Sequence, residues 1–527
     1  MNWLDVLGPL TRHRDRRNPL YARIESRIRE SIQSGRLTEG ERLPADREMA
    51  QLLKVDRSTI ARAYDELEAA GLVTSQVGRG TFVAQRGAAA EGSATGSARR
   101  AAASGDGLCQ LVWAESFSRA SQMTSSIVAR QVTPPISGGD TISFAGGIPT
   151  QEFFPHKDFQ RIVSSLLCSE RSLEMFGYSP PEGHQSLRAE VRKHLSRQGI
   201  FAQDDEILIL SGSQQGIDLL ARTLVDPGDV VLMEDPSYFL AICNFAALGA
   251  RLIPVPMDED GLRLDVLDGI MSRQRAKLLY VMPSFQNPTG ATLTSGKREE
   301  LLRLARFHQV AILEDNFVGD LSFESGQLPS LRSLDPSGGT VIYQGTLSKA
   351  LCPGLRLGWM VAPRQVMARL RLAKRSCDLS TNSMAQVVAA EYLREGLYEK
   401  HLLHVTEAYR QRRDVLCQAL ESHLGDYLSF SKPRGGMFVF GKLPEGYSSR
   451  ELLSLAEKEG VSFSPGDMFF LGNDRFEFLR LSFIQLKKGE IEEGVRRLGA
   501  AVRAYAARAR RSSRAATGSC GAEGTFI

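Results

Sequence analysis

Between Leu20 and Ser34 the apolar residues Ile24, Ile28 and Ile32 return every fourth position, the spacing of one buried helix face. Gly35 is placed to stop that helix. After a loop with Gly40 and Pro44, Asp46 is placed to cap a short helix through Leu53. Asp56 or Ser58 caps a third helix, which runs to Ala70 and ends at Gly71. The stretches 72–75 and 81–84 then read as short strands around Val77-Gly78-Arg79-Gly80. Three helices followed by a hairpin predict an α+β head over residues 18–85.

The pattern breaks at residues 86–107, where small residues dominate and nothing can build a core. This stretch predicts a flexible linker, reaching roughly 25 Å as a coil. From 108 to 507, short apolar runs alternate with helical stretches: 207–210, 230–233, 278–282, 310–313, 341–343 and 357–361. That alternation predicts one large α/β unit. Residues 508–527 are basic, then small and polar, and predict a disordered tail.

Composition narrows the class. The chain has 527 residues, 42% hydrophobic and 24% charged, as expected of a soluble protein with more than one domain. No apolar run approaches the ~20 residues of a membrane helix. The first residues turn basic without an apolar core, so no secretion signal or membrane partner is expected. Seven cysteines are scattered without a CxxC pair, which suits a reducing, cytoplasmic setting and predicts no metal site. The net charge of +4 is too small to argue for nucleic acid by itself. Residues 1–85 carry 14 Lys/Arg against 12 Asp/Glu, so placement of the basic residues must carry any such argument.

In the third helix Ile60, Tyr64 and Leu67 share one face, while Ser58 and Arg62 point the other way. Arg57, Ser58 and Thr59 lie in its first turn, where backbone N–H groups and the helix dipole favour phosphate. Arg79, at the hairpin tip, is placed to reach a neighbouring backbone or minor groove. Any one of these arginines alone would be a solvated surface charge. Their order along the chain decides otherwise, because Leu20–Ala84 resembles the GntR family of bacterial regulators. The matching positions include Leu43, Pro44, Arg47, Ala50, Arg57, Thr59, Leu67, Gly71, Leu72, Gly78, Gly80, Thr81 and Val83. The resemblance implies a winged helix-turn-helix in which Arg47, Arg57, Thr59 and Gly78 touch double-stranded DNA. Asp56 stands where the family usually has Ser or Thr; it still caps, but it repels a nearby phosphate.

The loops that follow the predicted strands of the larger unit carry specialised residues. A lysine in Ser348-Lys349 can form a Schiff base with an aldehyde cofactor. The fork of Arg356 can hold a phosphate. Asp315, at the end of an apolar run, can keep a pyridine nitrogen protonated, and the Asn287 amide can hydrogen-bond a ring hydroxyl. Ser213 and Gln214 open a helix, a seat for phosphate. Tyr238 can stack on an aromatic ring, and Arg480 can clamp a carboxylate.

Together, over about residues 141–505, these motifs resemble fold-type I aminotransferases, in particular the branch with kynurenine and 2-aminoadipate aminotransferases. The resemblance implies pyridoxal 5′-phosphate (PLP), with Lys349 as its Schiff-base and catalytic lysine. It implies Asp315 on the ring nitrogen, Asn287 on the ring hydroxyl and Tyr238 as the stack. It puts Ser213, Gln214, Ser348 and Arg356 at the phosphate, with Tyr178 reaching the phosphate of the partner subunit. Arg480 would take the carboxylate of a substrate or effector. One departure matters. The family usually has a tyrosine two or three residues after the aspartate, and here those positions are Phe317 and Val318. One hydrogen bond to the cofactor oxygen is missing, and efficient transamination is put in doubt.

Both halves in this order resemble the MocR family of bacterial regulators. The resemblance implies a homodimer in which the head of one chain packs on the body of the other, and a body that senses PLP or a small amino compound. It places the protein in the bacterial cytoplasm, on the nucleoid when DNA-bound. The competing readings are a working aminotransferase with a DNA-binding head, and a regulator whose body has lost PLP.

Overall fold

The computed structural model describes most of residues 20–83, then 116–128, 140–324, 328–472 and 475–518. The chain divides into two compact units, Met1–Leu111 and Val112–Ile527.

In the first unit the isoleucine-spaced helix runs Leu20–Gln33 and the short helix Asp46–Leu53. Strands β1 (Val73–Gln76) and β2 (Gly80–Val83) pair antiparallel as the hairpin. Ile24, Ile28, Leu43, Met49, Ile60 and Leu67 are buried together with Val73 and Val83. The apolar face assigned to the third helix is therefore its packing face. The Tyr64 hydroxyl ties that helix to the preceding loop by donating to the Pro44 carbonyl at 3.0 Å.

The second unit contains β3 (Ile142–Ser143), β4 (Ile207–Leu210), β5 (Val230–Asp235), β6 (Arg251–Asp258), β7 (Gly261–Leu262), β8 (Ala276–Val281), β9 (Ala311–Asn316), β10 (Val341–Thr346) and β11 (Gly358–Val361). It continues with β12 (Ser429–Phe430), β13 (Phe438–Lys442), β14 (Val461–Ser462), β15 (Ser464–Pro465) and β16 (Phe478–Ser482). The large sheet has the order β4-β11-β10-β9-β8-β5-β6-β7. Strands β10, β9, β8, β5 and β6 are parallel neighbours, and β11 runs antiparallel to both β10 and β4. Helices cover this sheet, so its central strands are buried on both faces and read as continuous apolar runs. A smaller antiparallel sheet, β12-β13-β16-β15, follows in the C-terminal part, and β14 pairs with β3.

One expectation is corrected at the C-terminal end of this unit, and one helix at its other end goes unannounced by the sequence. Residues 508–527 were expected to be a disordered tail from 508 onward, yet the last helix runs unbroken from Lys488 to Gly518. At the other end the helix Arg119–Val128, which the apolar pattern does not announce, rests on the helix Phe239–Ala247 through Ile127. It has no buried residue of its own, so no strong periodic signal marks it. The linker 86–107 lies outside the described residues.

Among the described residues no helix is long and apolar enough to cross a membrane, and no group of His, Cys, Asp and Glu could hold a metal ion. Five described cysteines are free thiols.

Candidate functional site

Because β4, β5, β8, β9 and β10 point the same way, the loops after them emerge along one edge of the sheet, where ligands bind in open α/β folds. The reversed strand β11 begins at that edge, which delivers Arg356 to it as well.

After β4 the chain turns through Gly212 into the helix Ser213–Leu224. Gly212 sits at φ 94° and ψ 160°, a conformation only glycine adopts without strain. A Cβ there would lie 2.5 Å from an Arg356 guanidinium nitrogen, which donates to the Ser211 carbonyl at 3.1 Å. The first-turn N–H groups of the helix and the Arg356 fork therefore share one corner, an anion seat. Arg356 itself is held at φ 51° and ψ 48°, unusual for a residue with a side chain. Tyr238 caps the helix Phe239–Ala247 and donates from its hydroxyl to Gln214 Oε1 at 3.1 Å. Ser348 is buried, and its hydroxyl is bonded to Thr346 Oγ1 at 3.0 Å.

Lys349 donates to the Gly147 carbonyl at 2.8 Å. Burial, then the charges of Arg480 and Arg356, bring its ammonium pKa down to about 8. Asp315 is 2% exposed; burial raises its carboxyl to about 6, held there against a larger rise by the Tyr280 hydroxyl and, next, the Gln344 side chain. Tyr280 donates to Asp315 Oδ2 at 2.6 Å, while Oδ1 is buried without a partner. Such an orphaned acceptor is costly unless a donor arrives.

Arg480, on β16, is buried, and its guanidinium lies between the rings of Phe438 (4.1 Å) and Phe469 (4.6 Å). Its nitrogens donate to Asn287 Oδ1 at 2.8 Å, the Gly146 carbonyl at 3.1 Å and Ser464 Oγ at 3.3 Å. Burial lowers its pKa to about 9, which leaves it charged at neutral pH. The bond to Asn287 Oδ1 fixes that amide's orientation, so its NH2 end turns away from the arginine.

Comparison with known proteins places this geometry. The family model for aminotransferase class I and II matches residues 154–498, and that for bacterial regulatory proteins of the gntR family matches 20–83. The uncharacterized HTH-type transcriptional regulator YdfD of Bacillus subtilis is 30% identical over 93% of this chain and 98% of its own. The probable rhizopine catabolism regulatory protein MocR of Rhizobium meliloti is 29% identical over 93% of this chain and 94% of its own. Among solved structures, LysN, the alpha-aminoadipate aminotransferase of Thermus thermophilus complexed with N-(5′-phosphopyridoxyl)-L-leucine, superposes with a TM-score of 0.70. It is 36% identical over 75% of this chain and all of that one.

The chain belongs to the MocR family. Its two units are the GntR-type winged-helix head and the fold-type I aminotransferase-like body of that family.

Within this MocR-family body the structure brings Lys349, Asp315, Asn287, Tyr238, Ser213, Gln214, Ser348, Arg356 and Arg480 to one edge. Tyr178 stands apart, 88% exposed. Val318 is buried in the core and Phe317 packs against it, so neither position offers a hydroxyl. In the head Arg47 falls in the helix Asp46–Leu53 and Thr59 is half-buried. The side chain of Arg47, together with Arg57, Ser58, Arg62, Gly78 and Arg79, lies outside the described residues.

Sequence reasoning passed over Tyr280, Ser464 and the pair Phe438 and Phe469. Tyr280 looks like an ordinary core residue of an apolar strand. Its one local signal is a hydroxyl in the run 278–282, which is otherwise apolar. The two phenylalanines are ordinary core residues until Arg480 is placed between them.

Proposed function

We propose that this MocR-family protein is a DNA-binding transcription regulator whose body holds PLP and answers to that cofactor or to a small amino compound. The observation that carries the reading is the buried Asp315 Oδ1, an acceptor without a donor on the same sheet edge as Lys349. A protonated pyridine nitrogen is the donor it lacks.

When bound, PLP supplies an aldehyde for the lysine and an electron-withdrawing ring. The protein's residues do the rest. Lys349, its pKa drawn down to about 8, offers a useful fraction of neutral amine at neutral pH. Ser213, Gln214, Ser348 and Arg356 hold the phosphate, and Tyr178 of a second copy reaches it. Asn287 turns its NH2 toward the ring oxygen, Tyr238 stacks on the ring, and Arg480 receives an effector carboxylate. In the head Arg47, Arg57, Ser58, Thr59, Arg62, Gly78 and Arg79 meet DNA. The protein works in the cytoplasm, on the nucleoid when DNA-bound, as a homodimer with exchanged heads. An effector shifts DNA affinity only if it binds two arrangements of the body differently.

The runner-up reading, an active aminotransferase carrying a DNA-binding head, draws on the same intact set. Phe317 and Val318 speak against it, because the cofactor oxygen keeps one donor fewer. The test is binding of the full-length protein to the DNA upstream of its own gene and of the divergent neighbour, with and without PLP, at fixed salt. Specific binding altered by PLP supports the regulator. No specific binding, together with steady release of a keto acid over many turnovers, overturns it in favour of the enzyme.

A further inference from the structure

Asp315 projects from β9 with one oxygen satisfied by the protein and one left open. The satisfied oxygen, Oδ2, accepts the Tyr280 hydroxyl from β8 at 2.6 Å. Tyr280 is in register with Leu313, two residues before Asp315, so both side chains stand on the same face of the sheet. Both are buried, and the edge-on contact of the Tyr280 ring with Phe245, at 6.2 Å, fixes the direction of the phenol. Of the groups around the carboxylate, the Tyr280 hydroxyl does most to keep it ionised, and the Gln344 side chain adds to it. Glu234 on β5 is buried and raised to about 8, so it is neutral at pH 7; its carboxyl accepts from the Met282 N–H and the Gln286 amide. Tyr238 and Tyr343 are pushed upward by burial and stay neutral phenols. Gln344, in register with Asp315 on β10, is uncharged, and its side chain lowers the Asp315 carboxyl less than Tyr280 does.

We propose that Tyr280 is the positioning residue that keeps Asp315 a carboxylate and aims its open oxygen, Oδ1, at the pyridine nitrogen of the cofactor. The inference rests on the cofactor reading above. A buried carboxyl with no donor takes up a proton, and a neutral acid does not hold a pyridinium. A short bond from a phenol to a carboxylate is among the stronger hydrogen bonds. Because it occupies Oδ2, it leaves Oδ1 as the oxygen that faces the ring.

The experiment loads the full-length protein with PLP carrying 15N at the ring nitrogen and follows that nitrogen by NMR across pH. In the wild type the nitrogen stays protonated through neutral pH. Tyr280→Phe keeps the ring but removes the donor. The nitrogen is expected to lose its proton about one to two pH units lower, roughly a 10- to 100-fold change in ionisation. Asp315→Asn sets the limit of the effect. Replacing Tyr280 with 3-fluorotyrosine keeps the shape and strengthens the donor, so it moves the titration the other way and carries the test if Tyr280→Phe does not fold. An unchanged nitrogen titration in folded Tyr280→Phe that still carries lysine-linked PLP, or no shift with fluorotyrosine, overturns the proposal. A wild-type protein that takes up no PLP overturns the cofactor reading, and this inference with it.

Discussion

Arg480 and Asn287 are bonded to each other, Nη1 to Oδ1 at 2.8 Å, although 193 residues separate them. The residue assigned to an effector carboxylate thus orients the residue assigned to the ring oxygen. Removing Asn287 leaves a buried guanidinium one acceptor short, which costs about 1.5–3 kcal/mol. A double-mutant cycle with Asn287→Ala and Arg480→Met, read by urea unfolding, is expected to show a coupling of about 1–3 kcal/mol. Additivity within about 0.5 kcal/mol would mean the contact is not made in solution.

Lys349 sets a pH dependence with a definite sign. Its pKa is depressed from 10.5 to about 8 by burial and by two guanidinium charges. The neutral amine is the nucleophile, so the rate at which the apoprotein takes up PLP should climb with pH and level off near 8. Stopped-flow absorbance measures it. A rate still climbing toward 10.5 would show an amine in ordinary solvent. Lys349→Ala should give no lysine-linked band at any pH.

Arg356 combines a left-handed backbone with a charged fork, and two substitutions separate the two. Arg356→Gly relieves a conformation that costs a side-chain residue roughly 1–2 kcal/mol, while Arg356→Ala does not. The glycine variant should therefore unfold at higher urea than the alanine variant. Both should bind PLP about 10-fold or more weakly, the loss of one charge-assisted hydrogen bond. Equal PLP affinity in wild type and both variants would remove Arg356 from the phosphate seat.

Gly212→Ala tests the same corner from the backbone. The φ of 94° penalises any Cβ by about 1–3 kcal/mol, and this Cβ also meets the guanidinium of Arg356 at 2.5 Å. Loss of both stability and PLP affinity is expected, measured by thermal unfolding and by equilibrium titration. A variant as stable as wild type would show that the turn relaxes.

In the head, Arg57→Ala should weaken DNA binding and reduce the slope of log K against log salt by about one if the arginine meets a phosphate. An unchanged slope would return Arg57 to the solvated surface.

Much of the architecture is legible in the sequence. The apolar runs at 207–210, 230–233, 278–282, 310–313, 341–343 and 357–361 all became strands of the large sheet, displaced by at most a few residues at their ends. They are legible because these strands are buried and must be hydrocarbon nearly throughout. Strand β6 went unread: it lies toward the edge of the sheet, carries Pro254 and Pro256, and is half-exposed, so no continuous run marks it. The short strands of the smaller sheet fail for a similar reason, since two residues cannot show a period. The end of the last helix was misjudged because a run of arginine and alanine reads equally as solvated tail and as helix.

The sequence by itself determined the order of the two units, the motifs that mark them, and the residues at the strand ends where the chemistry gathers. Those features are local, written in spacing and in turn residues. Only the tertiary structure decided which of these residues touch. Tyr280 meets Asp315 because β8 and β9 pair in one register, and a shift of one residue would turn one side chain to the opposite face. Arg480 meets Phe438 because β13 and β16 pair within the small sheet, and it meets Asn287 because that sheet brings it to the loop after β8. Hydrogen bonds and ring contacts depend on distance through space, and no local pattern records which distant strand will supply the partner.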